Sequence, residues 1–485
     1  MSAARVAGRG LAVVVVALTA AGLLPDTVSG QDRGRLSETV RQYVRVDASV
    51  VALTHVRLVD GTGAPPRADR TIVVRGDSIA AVGPSSSVEP PEGAEVLDLE
   101  GSTVVPGLVG LHQHLFYPGA FGRVPLPYSA PRLYLGAGVT TARTAGAYAA
   151  YAEMNLADRI AAGDVPGPTI VPTGPYLTGE PENWYQVGLS GPEEARQVVR
   201  HWAGRGASWF KVDATISRAA LAAVVDEAHR HGARVTGHLC SVTFVEAAER
   251  GIDNLEHGYI TDSGLLDGKR PDRCPENSYR RLSRLDMSQP RVDSVIERLV
   301  AADVAITSTL AVIEAVAPDR GRLDARTLRA MDPAKRESYL EERRAAAEAA
   351  DGEPSTWARL LEKEMDFERR FVEAGGLLAA GADPTGNGGA LPGFGDQRNY
   401  ELLVEAGFSP VDAIEIMTLN GARVLGLEDR IGSVEAGKEA DLLVIDGDPV
   451  TNPSDIRNVK IVFRDGVGFD SGRLIRSVDG RVGAR

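Results

Sequence analysis

The chain has 485 residues, 43% hydrophobic and 25% charged. That is the composition of a globular protein, and it excludes collagen, coiled coil and disorder as the overall plan. A net charge of −13 leaves no electrostatic footprint for nucleic acid, and two cysteines exclude a disulfide scaffold or a cysteine-rich zinc module.

The N-terminus reads as a targeting segment over residues 1–30. Arg5 and Arg9 precede the apolar run Leu11–Leu24, and the small residues Val28-Ser29-Gly30 follow as a cleavage zone. The run is short for a bilayer span, so a cleaved export signal is expected, with an uncleaved anchor as the alternative. The arginines are not adjacent, so the twin-arginine route is not indicated. The mature chain would begin near Gln31, periplasmic or secreted, in an oxidising compartment. No later segment is long and apolar enough to span a membrane.

Residues 31–46 are polar and read as a linker or short helix. From Val50 onward, VALTHVRLVDGTG, TIVVRGDSIAAVG and AEVLDLEGSTVVPG are short β-rich runs, with a hairpin turn expected at Asp77-Ser78. ADLLVIDGDP and VKIVFRDG near the far end share that texture. Between the two ends, strands are expected at 104–112, 139–144, 169–173, 208–212, 234–238, 254–257, 305–309 and 377–382. Helical stretches such as SRAALAAVVDEAHRHG separate most of them. Eight β–α repeats over about 300 residues point to an α/β fold, a (β/α)8 TIM barrel. The charged stretch 319–370 reads as a solvated helical excursion after the seventh strand.

Of eight histidines, His55, His201, His229 and His231 lie in strand-edge or helical contexts and read as surface or structural. The other four fall at expected strand ends: His112 and His114 as an HxH pair, His238 after ARVTG and His257 after IDNLE. Lys211 in SWFKV and Asp383 after LLAAGA occupy equivalent positions. A barrel gathers its strand ends at one face, so six residues scattered along the chain would converge. Alternation puts both HxH side chains on one face, and imidazole with carboxylate suits a divalent metal. Singly, each has a plainer reading: a core histidine, a surface lysine, a capping aspartate. The ordered set HxH, Lys, His, His, Asp is what indicates a metal site.

That set, in PGLVGLHQH, WFKV, TGH, NLEHG and GADPTG, resembles the amidohydrolase superfamily of metal-dependent hydrolases, as does LNGARVLGLEDRIGSVEAGKEADLLVID. The nearest likeness is to its imidazolonepropionase-like and prolidase-like branch. The resemblance implies a barrel over 105–425 with a small β-sandwich domain built from 31–104 and 426–485. It implies two divalent metal ions, with zinc expected. His112, His114 and Asp383 would hold one ion, His238 and His257 the other. A carboxylated Lys211 would bridge them, since an ammonium has no lone pair to offer a cation. A hydroxide shared by the metals would attack the carbonyl, and Asp383 would carry its proton to the leaving nitrogen.

No GxSxG, P-loop or dinucleotide fingerprint competes. In an exported protein Cys240 and Cys274, on neighbouring barrel loops, are expected to pair and pin the insert 261–288 over the site mouth. Dipeptidase-like relatives commonly carry Ala-Tyr after the fifth-strand histidine, whereas this chain has Leu239-Cys240, which departs from a simple prolidase. Substrate contacts are expected from Tyr117, Tyr176, Trp184, Tyr185, Tyr259, Arg270 and Arg273. The expected function is hydrolysis of an amide or peptide C–N bond in a small molecule, a dipeptide or N-acyl amino acid. A cyclic amide, imidazolone or carbamate hydrolase and a non-catalytic metal-stabilised binding protein are the alternatives. Homo-oligomerisation stays open.

Overall fold

The structure is a computed structural model and describes residues 36–320, 324–349 and 354–484. The expected export signal and mature start lie outside the described residues.

Eight parallel strands close a barrel in chain order. They are Leu108–Gln113, Val139–Thr144, a third strand in two pieces (Thr169–Val171 and Thr173–Thr178), Trp209–Val212, Arg234–Gly237, Asn254–Glu256, Ala305–Ser308 and Leu378–Ala380. The last pairs with the first, Ala380 opposite Gly110, and so closes the ring. Every residue of the first and second strands is buried, as a parallel sheet covered by helices requires. The third strand breaks at Pro172, which has no N–H for the ladder.

The strand expected over 104–112 is two strands in two domains. Ser102–Pro106 pairs with Leu442–Asp446 and Val50–Leu58 in the terminal sheet, whereas Leu108–Gln113 enters the barrel. Gly107 makes the crossing, at a place where a Cβ would lie 2.1 Å from the Thr140 hydroxyl.

Both chain ends build one nine-stranded sheet. Alternation divides its faces. Val51, Leu53, Val104, Leu442, Val444 and Phe463 enclose the sheet's own core. Leu443, Ile445 and Val462 face the other way and join the barrel core with the helix Ser129–Ala137. The hairpin between Arg67–Arg75 and Ser78–Pro84 turns at Gly76-Asp77.

The excursion after the seventh strand is less solvated than its charge suggests. Its last helix, Thr356–Glu373, buries Leu360, Leu361, Phe367 and Phe371 and even Glu364 and Glu368, while its arginines line the outer face. Eleven-residue spacing from Leu360 to Phe371 is three helical turns, so these apolar groups form one stripe that the net composition hides. No described helix is long and apolar enough to cross a membrane.

Candidate metal centre

The strand ends bring the six polar residues to one rim, at the floor of a cavity of about 690 Å³ lined by His112, His114, Lys211, His238, His257 and Asp383. His112, His114, Lys211, His257 and Asp383 are all buried.

Close backbone approach sets Asp383. Its N–H donates to the His112 carbonyl at 2.9 Å. A Cβ on the nearby Gly381 would lie 2.3 Å from the His112 nitrogen, so only glycine lets the eighth strand come this near. Asp383 and His257 both have positive φ, 42° and 70°. Left-handed backbone is uncommon outside glycine and collects at functional sites. At His257 it has a definite effect: the chain leaves the strand there, so Glu256 and His257, adjacent in sequence, both reach the inside of the barrel.

Asp383 lies at the centre. Its Oδ1 is 3.2 Å from His114 Nε2 and 3.7 Å from His112 Nε2, and its Oδ2 is 3.7 Å from His257 Nε2. The Thr385 hydroxyl donates to Oδ1 at 2.7 Å. His112, His257 and Asp383 form a triple whose ligating atoms all lie within 4.8 Å of one another. The His238 ring centroid is 4.7 Å from that of His257.

The outer nitrogens are occupied. His112 Nδ1 is 2.8 Å from Glu256 Oε2, and His257 Nδ1 is 2.7 Å from the Thr309 hydroxyl. A carboxylate only accepts, so His112 Nδ1 carries the proton and Nε2 presents a lone pair to the site. Burial pushes the His114 imidazole down to about 4 and lowers His238 and His257 as well. Burial pushes the Asp383 carboxyl up, but the surrounding imidazoles, His112 foremost, outweigh this and hold it well below the usual carboxylate range. Lone pairs of neutral imidazoles thus face an ionised carboxylate, an arrangement of acceptors that a cation satisfies. The residues present fit a divalent metal.

Lys211 is buried, its ammonium pKa lowered by desolvation, and its Nζ stands 4.0 Å from Glu256 Oε1.

Sequence reasoning missed Glu256 and Arg143. Glu256 is fully buried and accepts from Arg143 Nη2 at 2.5 Å and the Thr236 hydroxyl at 2.6 Å besides His112. Arg143 also donates to the Leu111 carbonyl at 2.7 Å and Asn254 Oδ1 at 2.9 Å, and lies over the Trp209 ring. The available signal was the charge itself: a lone arginine in VTTART and a glutamate in NLEH, both inside strands that must be buried.

The expected substrate residues divide. Tyr176 and Tyr185 line the cavity, and the Tyr176 hydroxyl is 3.3 Å from His114 Nδ1. Tyr117 does not line it: it is fully buried, and its hydroxyl donates to the Gly388 carbonyl. Tyr259 is likewise a core residue, donating to the Leu282 carbonyl at 2.8 Å and packing on Phe367. Trp184 is 76% exposed and meets Tyr148 edge-on outside the cavity wall. Arg270 and Arg273 lie on exposed loop away from the wall, and the arginines that reach it are Arg123 and Arg280. Cys240 and Cys274 are joined by a disulfide with Cα atoms 5.0 Å apart. Cys274, Pro275, Asn277, Ser278 and Tyr279 of the insert contribute to the cavity wall.

Comparison with known proteins agrees with this architecture. The profile described as Amidohydrolase family matches residues 388–468. A 5-methylthioadenosine/S-adenosylhomocysteine deaminase of Teredinibacter turnerae is 36% identical over 94 residues, 17% of this chain and 21% of the relative. An imidazolonepropionase of Deinococcus radiodurans is 39% identical over 80 residues, 16% and 19%. The chain therefore matches only about a fifth of the length of these curated relatives. Likeness to solved structures is global. A protein from Bifidobacterium longum described as a "putative prolidase" superposes with a TM-score of 0.66 at 26% identity, over 89% of this chain and 99% of that one. A bottromycin amidohydrolase superposes with a TM-score of 0.69 at 22% identity, over 93% and 98%, which shows a shared fold. Residues 388–468 thus match the amidohydrolase family, and the barrel with its terminal sheet has the fold of these solved structures.

Proposed function

We propose that the chain is a metal-dependent hydrolase that cleaves an amide or peptide C–N bond. The observation that carries this reading is the convergence of His112 Nε2, His257 Nε2 and the Asp383 carboxylate on one buried point at the cavity floor.

His112, His257 and Asp383, with His114 and His238 beside them and Lys211 as a carbamate, would hold two divalent ions. Such ions polarise a carbonyl and lower the pKa of water to about 7. Lys211 has the condition that carbamate formation needs, an amine whose protonation burial opposes. The rest falls to the protein. Asp383, ionised and fixed by the Thr385 hydroxyl, can take a proton from the attacking water and hold it on a carboxylate oxygen. The same carboxyl then delivers it to the departing nitrogen, which must be protonated to leave. The Tyr176 phenol, kept protonated by burial, stands beside His114 as a donor for the oxygen that gains charge. No serine or cysteine nucleophile is called for, and Cys240 is committed to its disulfide.

Neighbours described as a prolidase, an Xaa-Pro dipeptidase and an amidohydrolase support an acyclic peptide or amide substrate. Local likeness to imidazolonepropionases supports a cyclic amide as the second reading, with a carbamate behind it. A non-catalytic binding protein fits less well, because the proton carrier Asp383 is retained. Export rests on the N-terminal apolar run, and the disulfide suits an oxidising compartment. The test is turnover by the metal-loaded protein across dipeptides, N-acyl amino acids, lactams and carbamates. Cleavage of acyclic amides supports the first reading, and silence across the whole panel contradicts it.

A further inference from the structure

One side of the cavity is walled by two segments that lie outside the barrel strands. The insert after the sixth strand brings Tyr279, on the short helix Ser278–Leu282. The excursion after the seventh strand brings Trp357, in the first turn of Thr356–Glu373. Their ring centres are 4.9 Å apart, with the planes tilted by 42°. Both segments are fastened. The Cys240–Cys274 disulfide ties the insert to the loop after the fifth strand. Lys363 Nζ donates to the Leu285 carbonyl at 2.7 Å and Arg370 Nη1 to that of Met287 at 2.8 Å, which fixes the insert to the excursion helix.

Two more rings stand across the opening. Tyr176 lies on the third strand and Tyr185 follows it, with ring centres 5.6 Å apart. In a closed ring of eight, the third and seventh strands face each other, so Trp357 reaches the cavity from the side opposite Tyr176 and Tyr185. The Tyr279 phenol shares that space. Burial pushes it up to about 12, and the negative charges of Asp213 and Asp383 add to the rise, as they do at Tyr176. Only 5% of the chain is aromatic, so four rings on one cavity call for a cause. Packing does not supply it. The same two segments also pair Tyr259 with Phe367, and that pair is fully buried. Tyr279 by contrast is 36% exposed, and its hydroxyl has no hydrogen-bond partner among the described residues.

We propose that Tyr279 and Trp357, facing Tyr176 and Tyr185, clamp an aromatic ring of the substrate, so that the site selects peptides or N-acyl amino acids with an aromatic group beside the scissile amide. This deepens the amide-hydrolase reading and rests on it for the scissile bond. Rings on both sides favour a flat π-system over a branched aliphatic group of similar size, because aromatic pairs gain beyond the area they bury.

The test is calorimetric binding of phenylalanylglycine, leucylglycine, glycylphenylalanine and glycylleucine to the metal-loaded full chain carrying Asp383→Asn, which slows their cleavage. In at least one phenylalanine–leucine pair the aromatic member should bind about 5-fold or more tighter. Adding Trp357→Ala should abolish that preference, and Trp357→Phe should keep most of it. Trp184→Ala, outside the cavity wall, should leave it unchanged. Should Trp357→Ala not fold, Tyr279→Ala carries the same expectation. Equal binding within both pairs, binding of none of the four, a preference that survives Trp357→Ala, or its loss in Trp184→Ala would overturn the proposal. Aromatic preference without cleavage of any C–N bond by the wild type would leave the clamp standing and remove the hydrolase reading instead.

Discussion

His112 Nδ1 and Glu256 Oε2 are 2.8 Å apart, with the carboxylate fully buried and shared among His112, Arg143 and Thr236. This contact fixes which nitrogen of His112 faces the site. Burial pushes the Glu256 carboxyl up, but His112, Arg143 and Lys211 outweigh it and hold it well below its usual range.

Glu256→Gln should therefore weaken metal binding by about 10–100-fold, the usual effect of losing a partner of a ligating histidine. It should also destabilise the fold by about 3 kcal/mol or more, because Arg143 is left buried without its counter-charge. Competition with a chelator and chemical denaturation measure the two effects. Unchanged metal affinity would show that the contact does not orient His112.

Asp383→Asn keeps the shape and removes the proton acceptor. Turnover should fall by about 10²–10⁴-fold while much of the metal stays bound. Metal content and kcat measured on one preparation separate the roles. Near wild-type kcat would remove Asp383 from proton transfer.

Lys211→Ala should lower metal occupancy, and short carboxylic acids should restore part of it by standing in for the carbamate. Carbon-13 NMR after labelled bicarbonate should show a carbamate signal in the wild type and none in the variant. A wild type without that signal, at full metal content, would contradict a carboxylated lysine.

Glu368 gives a pH dependence of stability. It is buried on the helix Thr356–Glu373, one oxygen accepting from the Ser308 hydroxyl at 3.0 Å and the other without a partner, and desolvation pushes it up to about 8. A carboxyl raised in the folded state favours folding below its unfolded pKa, and that contribution is lost as pH rises through about 8. Glu368→Gln mimics the protonated form. The Tm difference between variant and wild type should grow by roughly 3 °C between pH 5 and pH 9. A constant difference would place the proton elsewhere, Glu364 one turn earlier being the alternative holder.

Much of the site is legible in the sequence because a barrel turns chain order into spatial order. Once His112, Lys211, His238, His257 and Asp383 are recognised as strand ends, closure of the ring brings them together. What escapes is whatever depends on direction rather than position. Glu256 should point away from His257 by strict alternation, and it reaches the centre because His257 turns out of the strand at positive φ. Tyr117 and Tyr259 look like pocket residues from their place after strand ends, yet their hydroxyls satisfy buried carbonyls instead. Arg123 escapes because the hairpin Phe116–Pro125 reads as loop, whereas Arg270 and Arg273 belong to an insert that reads as covering the site mouth yet do not reach the cavity wall. Charge along 319–370 concealed the apolar stripe of the helix Thr356–Glu373.

Metal analysis of the protein as purified, compared with His112→Ala and His257→Ala, tests the central claim most directly. About two divalent ions per chain are expected in the wild type, with each variant losing most of its metal together with any C–N hydrolysis. A metal-free wild type that hydrolyses amides at full rate, or variants that keep both metal and activity, would contradict the account.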